Sequence, residues 1–129
     1  MRYMIYLPAE GRARLIRCGA NGSLTLNELW SLLDGYVETA PTCLEPTWAR
    51  EPADGVRLLV NEEGKLRELP LNQDATLLYK YRDRDVILGN ALLCVAAGEE
   101  LLGFRLPVAL DLCRELSRRD SRFQTFNPD

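Results

Sequence analysis

Ala91-Leu92-Leu93-Cys94-Val95-Ala96 is apolar at every position, and no other stretch limits the possible folds of this chain as much. A strand with one wet face alternates apolar and polar residues, so an unbroken apolar run fits a central strand covered on both faces. Alanine and leucine also favour helix, so helix is only weakly excluded here. Ile87-Leu88-Gly89-Asn90 bends into the run, and Gly98 ends it.

The rest of the chain offers strands and helices to surround it. Arg2 to Leu7 reads as a strand, Pro8 to Gly11 as a turn, and Arg12 to Cys18 as the hairpin partner. In that partner Ala13, Leu15 and Arg17 point one way and Arg14, Ile16 and Cys18 the other, which suits a sheet with one covered face. Thr25 opens a helix, and Glu28 completes a capping box with it. Leu26, Leu29, Trp30 and Leu33 then form one apolar stripe, which places Trp30 in the core. Gly35 is expected to stop this helix in a left-handed conformation.

Tyr36 to Thr39 reads as a short strand. From Ala40 to Gly55 the chain carries Pro41, Pro46 and Pro52 and no clear periodicity, the pattern of a long loop with Trp48 at its middle. Val56 to Val60 and Lys65 to Leu69 read as a second hairpin, with Gly64 supplying a positive φ in the turn. Asn72 caps a short helix from Gln73 to about Tyr79. Lys80 to Asp85 alternates charge sign, as a solvated connector does. A last helix begins near Pro107, with Ala109, Leu112, Cys113 and Leu116 as its apolar stripe and Glu115–Arg119 at favourable i, i+4 spacing. The tail from Asp120 is expected to fray, and no internal repeat stands out.

Strands and helices do not alternate strictly, which favours an α+β fold over a doubly wound sheet. The expectation is one compact domain over residues 1–129, with a mixed or mostly antiparallel sheet of about five to six strands and about two to three helices packed on it. A length of 129 residues suffices for one core, and 47% apolar with 27% charged residues is ordinary for a globular domain.

Composition narrows the chemistry further. Net charge is −3, which provides no global attraction to nucleic acid or anionic membrane. Neither a spanning apolar stretch nor a signal-peptide pattern is present, so the expected location is the cytoplasm. Histidine is absent, which removes Ser-His-Asp and Cys-His nucleophile systems within this chain. Cys18, Cys43, Cys94 and Cys113 form no C-x-x-C pair, and all but Cys43 sit in apolar patterns as buried thiols do. Cys43 lies in a loop, with no cation beside it in the chain. Neither G-x-G-x-x-G nor a Walker-type lysine loop occurs, and no cofactor is expected.

Glu62, Glu63 and Lys65 can meet a cation or a basic partner, although exposed polar turns need no such purpose. Arg105, Arg114, Arg118, Arg119 and Arg122 with Phe104, Phe123 and Phe126 have a composition suited to single-stranded nucleic acid. Asp111, Glu115 and Asp120 interleave with them, and that favours a solvated helix face.

Four segments together carry a resemblance. They are Gly35-Tyr36-Val37-Glu38, Leu59-Val60-Asn61-Glu62-Glu63-Gly64-Lys65, Leu69-Pro70-Leu71-Asn72 and Ile87-Leu88-Gly89-Asn90 with its apolar strand. The chain resembles, from about Met1 to Phe104, a family of small proteins with a domain of unknown function, encoded by bacteriophages, plasmids and conjugative elements. The Ala40–Gly55 loop is longer than the usual spacer, and the family has no catalytic residues to carry over.

The resemblance implies an accessory protein of a mobile element acting in the bacterial cytoplasm. With no catalytic constellation in the chain, the expected activity is non-enzymatic binding of a host or element protein. Tyr36, Glu38, Trp48, Asn61, Lys65 and Asn72 are the candidate binding residues, with no catalytic or metal-ligating residue among them. The alternative is a protein that sequesters a nucleotide signal of host defence, with Tyr36, Tyr79 and Tyr81 stacking on it. A carboxylate-dependent hydrolase ranks third. Nucleic acid and membrane are not expected partners.

Overall fold

A computed structural model of the chain describes residues 1–44 and 55–119. Trp48, most of the long loop and the tail from Asp120 lie outside the described residues. The described chain runs through strand β1 (Arg2–Leu7), strand β2 (Arg14–Arg17), helix α1 (Leu26–Leu33), strand β3 (Val37–Pro41) and strand β4 (Gly55–Asn61). Helix α2 (Gln73–Leu78), strand β5 (Ala91–Ala97), strand β6 (Glu100–Leu102), strand β7 (Phe104–Arg105) and helix α3 (Leu106–Arg119) follow.

The apolar run is a strand, β5, and it is central. Sheet order is β2-β1-β5-β4-β3, with β6 on β5 and β7 on β1. Every pairing is antiparallel, and the fold is α+β as expected. β1 pairs with β5 only through Ile5–Leu7, and β6 then takes the far end of β5 while β7 takes the start of β1. These two very short strands, cut off by Gly98 and Gly103, escape a sequence reading and bring the described sheet to seven strands.

Side-chain alternation divides the central strands between two cores. Ala91, Leu93 and Val95 join Tyr3, Ile5, Leu7, Leu58 and Val60 under α2 and α3. Leu92 and Cys94 join Met4, Cys18 and Leu59 under α1. Both faces are therefore covered, including at β2, where Leu15 faces one core and Ile16 the other. The stripe on α3 is as expected, with Ala109, Leu112, Cys113 and Leu116 all buried. Its exposed side carries the i, i+3 ion pairs Asp111–Arg114 and Glu115–Arg118, and Glu115 thus reaches Arg118.

Three expectations need correction. First, the stripe on α1 is rotated. Leu29 and Leu33 are buried and Leu32 packs beside them, while Leu26 and Trp30 are exposed. Trp30 instead meets Tyr36 edge-on, with ring centroids 5.4 Å apart. Second, the capping box of Thr25 and Glu28 is present, but Asp34, at φ 60°, takes the left-handed position that ends the helix. An aspartate tolerates that conformation better than most residues, and here its groups are held. Arg67 Nη1 donates to the Asp34 carbonyl at 2.6 Å, and Asn61 Nδ2 donates to the carbonyls of Leu33 and Asp34.

Third, Lys65–Leu69 is not a strand. Residues 62–68 form consecutive turns in which Arg67 N–H donates to Glu63 O and Leu69 N–H to Gly64 O. Asn61 Oδ1 accepts from Glu63 N–H at 2.8 Å and so starts the coil. Gly64 does not occupy the positive-φ region. A Cβ there would lie 2.6 Å from the Leu88 carbonyl oxygen, so close backbone approach is what requires glycine.

Candidate functional site

Between β3 and the segment that follows α2 lies a cleft of about 210 Å³. The register of β3 on β4 builds one wall. Glu38 stands directly opposite Val60, and directly opposed residues share a sheet face. Val60 and Ala40 belong to the core under α2 and α3, so Glu38 projects on that face, at the exposed margin where the core gives out.

Tyr79, Asp85, Val86, Ile87 and Leu88 form the opposite wall. Asn61, Glu62, Gly64 and Lys65 close one end. Lys65 Nζ donates to Asp85 Oδ1 in an ion pair across this end. That hydrogen bond, with a second from Val86 N–H at 2.8 Å, holds the Asp85 carboxyl below the ordinary aspartate value. Both partners face solvent, so the pair positions charge more than it stabilises the fold.

Beyond Tyr79 the connector carries a ring-and-cation cluster. Tyr81 meets Tyr79 edge-on at 5.6 Å, and the Arg84 guanidinium lies 4.7 Å from its ring centre. Lys80 approaches the same ring at 5.7 Å. Arg82 Nη1 donates to Cys43 Sγ at 3.0 Å, so a cation does stand beside this exposed thiol, brought there by the fold. The other thiols are buried. Burial pushes Cys94 and Cys113 up to about 12 and raises Cys18 as well.

The cleft gathers three of the six candidate binding residues: Glu38, Asn61 and Lys65. Asn61 is buried, and its amide is engaged by the end of α1 and by Glu63, which leaves Glu38 and Lys65 as the accessible pair. Tyr36 is exposed but packs on Trp30 of α1, across the sheet from the cleft. Asn72 is fully buried between strands. Its Nδ2 donates to the carbonyls of Leu7 and Gly89, each at 2.8 Å, and its Oδ1 caps α2 by accepting from Ala75 N–H. It holds the fold together and offers nothing to a ligand.

Tyr79, expected from the sequence to stack on a nucleotide in the alternative reading, lines the cleft, whereas Asp85 escaped the sequence reading. A charge-alternating connector looks solvated, and nothing in it marks Asp85 over its charged neighbours. Among the described residues no group of three cysteine, aspartate and glutamate side chains is placed to hold a metal ion. No helix among them is long and apolar enough to cross a membrane.

Fold and site thus define an α+β protein, one antiparallel sheet between two helical layers with a charged cleft at its β3 edge. The chain belongs to the family described as Domain of unknown function (DUF3846), whose family model matches residues 1–103. No curated protein and no solved structure matches it.

Proposed function

We propose that this chain is a non-enzymatic binding protein, an accessory factor of a phage or plasmid that engages a host or element protein in the bacterial cytoplasm. The cleft carries this reading. At about 210 Å³ it falls below the roughly 300–1,000 Å³ typical of small-molecule pockets, and charged side chains line it at a sheet margin. Such a cleft accepts one or two side chains of a protein surface better than a whole nucleotide. The mobile-element setting rests on the four motif segments and their resemblance.

The local chemistry also leans away from bond making. Asp85 is held as a carboxylate by Lys65, the opposite of the raised pKa a general acid needs. Cys94 and Cys113, pushed up to about 12, stay protonated and buried. Affinity capture from bacterial lysate with the full chain tests the reading, with Glu38→Lys and Trp48→Ala as comparison baits. A stable partner lost with Glu38→Lys is expected. Recovery of neither a protein nor a retained small molecule removes the support.

One observation favours a nucleotide as the second reading: Tyr79 lines the cleft with Lys65, and Tyr81 carries Arg84 and Lys80 beside it. Aromatic rings with cations suit a base and its phosphates. Native mass spectrometry and thermal-shift measurements against nucleotides decide this, and a flat profile counts against it.

A further inference from the structure

We infer that the open half of β3 is a strand-addition site for an extended, basic segment of a partner protein. The inference rests on the binding role proposed above and names the surface and the chemistry of the partner. Among the described residues β3 is the last strand of the sheet, and β4 is the one strand paired with it. In an antiparallel ladder, backbone groups of successive residues point alternately to either neighbour. Tyr36 O accepts from Glu62 N–H, which sets the even-numbered positions towards β4. Pro41 O accepts from Lys80 N–H and Cys43 N–H donates to Leu78 O, so the odd-numbered positions point outward. Val37 and Thr39 therefore present their N–H and C=O groups to the open side.

The chain itself starts to fill that side and then stops. Residues 78–80 run antiparallel along Pro41–Cys43, with Thr42 opposite Tyr79. At Tyr81 the segment turns away, because Arg84 and Asp85 N–H groups both donate to Tyr81 O. Among the described residues nothing continues the pairing along Val37 and Thr39. The cleft opens at this point, as space beside a half-built strand.

Charge selects the occupant. Among the described residues, Glu38, Glu62 and Asp85 line the cleft with Lys65 as the single cation, so carboxylates are in excess. A cross-strand residue opposite Glu38 is stabilised when basic. A second copy of this chain is disfavoured by the same rule. Pairing Val37 with Thr39 of a second copy sets the two Glu38 side chains opposite each other, and centring the pairing on Thr39 instead sets Val37 against Pro41, whose carbonyl is already taken by Lys80.

Two synthetic octapeptides serve as probes, one alternating valine with lysine and the other valine with glutamate. Amide NMR on the full chain is expected to show the lysine peptide slowing hydrogen exchange at Val37 and Thr39, with an affinity about fivefold above the glutamate peptide. Thr39→Pro removes an outward N–H without touching the β4 ladder, so the fold persists and the protection at Val37 disappears. Glu38→Lys reverses the peptide preference. Unchanged binding in Thr39→Pro, protection elsewhere on the surface, or no protection at millimolar peptide overturns the inference. If the natural partner is still captured by Thr39→Pro, the edge is wrong while the binding role stands. If the unaltered chain captures nothing, the binding role itself fails.

Discussion

Asn72 shows how much one side chain can hold. Its carbonyl oxygen caps α2 and its amide reaches Leu7, 65 positions away in the chain, and Gly89, 17 positions away. Asn72→Leu is expected to destabilise the fold by about 3 kcal/mol, read from the urea midpoint, because a cap is lost and two buried carbonyls go unpaired. The cap was legible from the asparagine before a short helix, but the two carbonyls were not, since only the fold brings them near. Gly64 is a parallel case. Its glycine is written in the sequence, yet the reason lies in the Leu88 carbonyl against it. Gly64→Ala should cost about 2 kcal/mol through overpacking. Cysteine burial was readable from pattern, although Arg82 beside Cys43 was not, and titration of the native chain with a thiol reagent should modify Cys43 while Cys18, Cys94 and Cys113 react only on unfolding.

The Lys65–Asp85 pair predicts a pH response of known sign. Its carboxyl is lowered in the folded state, so the pair's stabilisation is present above the unfolded carboxylate range and fades as pH falls through the lowered folded value. NMR titration of Asp85 should place its midpoint below ordinary aspartate, and Lys65→Ala should move it back upward.

Helices and strands were legible where periodicity is decided by burial. The α3 stripe and the covered run of β5 both came out as read, because packing on two faces leaves no other use for such residues. The α1 stripe was misread by one position. In an eight-residue helix, Leu29, Leu32 and Leu33 give as good a ridge as Leu26, Leu29, Trp30 and Leu33, and only the sheet below decides between them. Leu33→Ala should therefore cost about 3 kcal/mol, whereas Trp30→Ala should cost under about 1 kcal/mol in the same denaturation measurement. Lys65–Leu69 failed for a different reason. Its alternation suits a strand, but Leu66 is exposed, and Asn61 and Gly64 commit the backbone to turns first.

Taken together, the four motif segments converge into one clasp. Asn61 and Arg67 hold the end of α1, Gly64 lies on Leu88, and Asn72 N–H donates to Ile87 O. Gly89 N–H returns to Pro70 O, and Leu71 bridges Leu88. The residues that carry the family resemblance are thus mostly engaged in closing the structure. The accessible cleft lies beside them, with Glu38, Lys65 and Tyr79 as its readable part and Asp85 as the part contributed by tertiary approach.

Recognition along the open half of β3 is the function proposed for this chain. Hydrogen exchange across the full chain, alone and bound to the protein recovered from lysate, should show slowing at Val37, Thr39 and the 62–65 turn, with the exposed faces of α1 and α3 unchanged. Slowing confined to those helix faces, or conversion of the bound molecule that a single substitution abolishes, would contradict it.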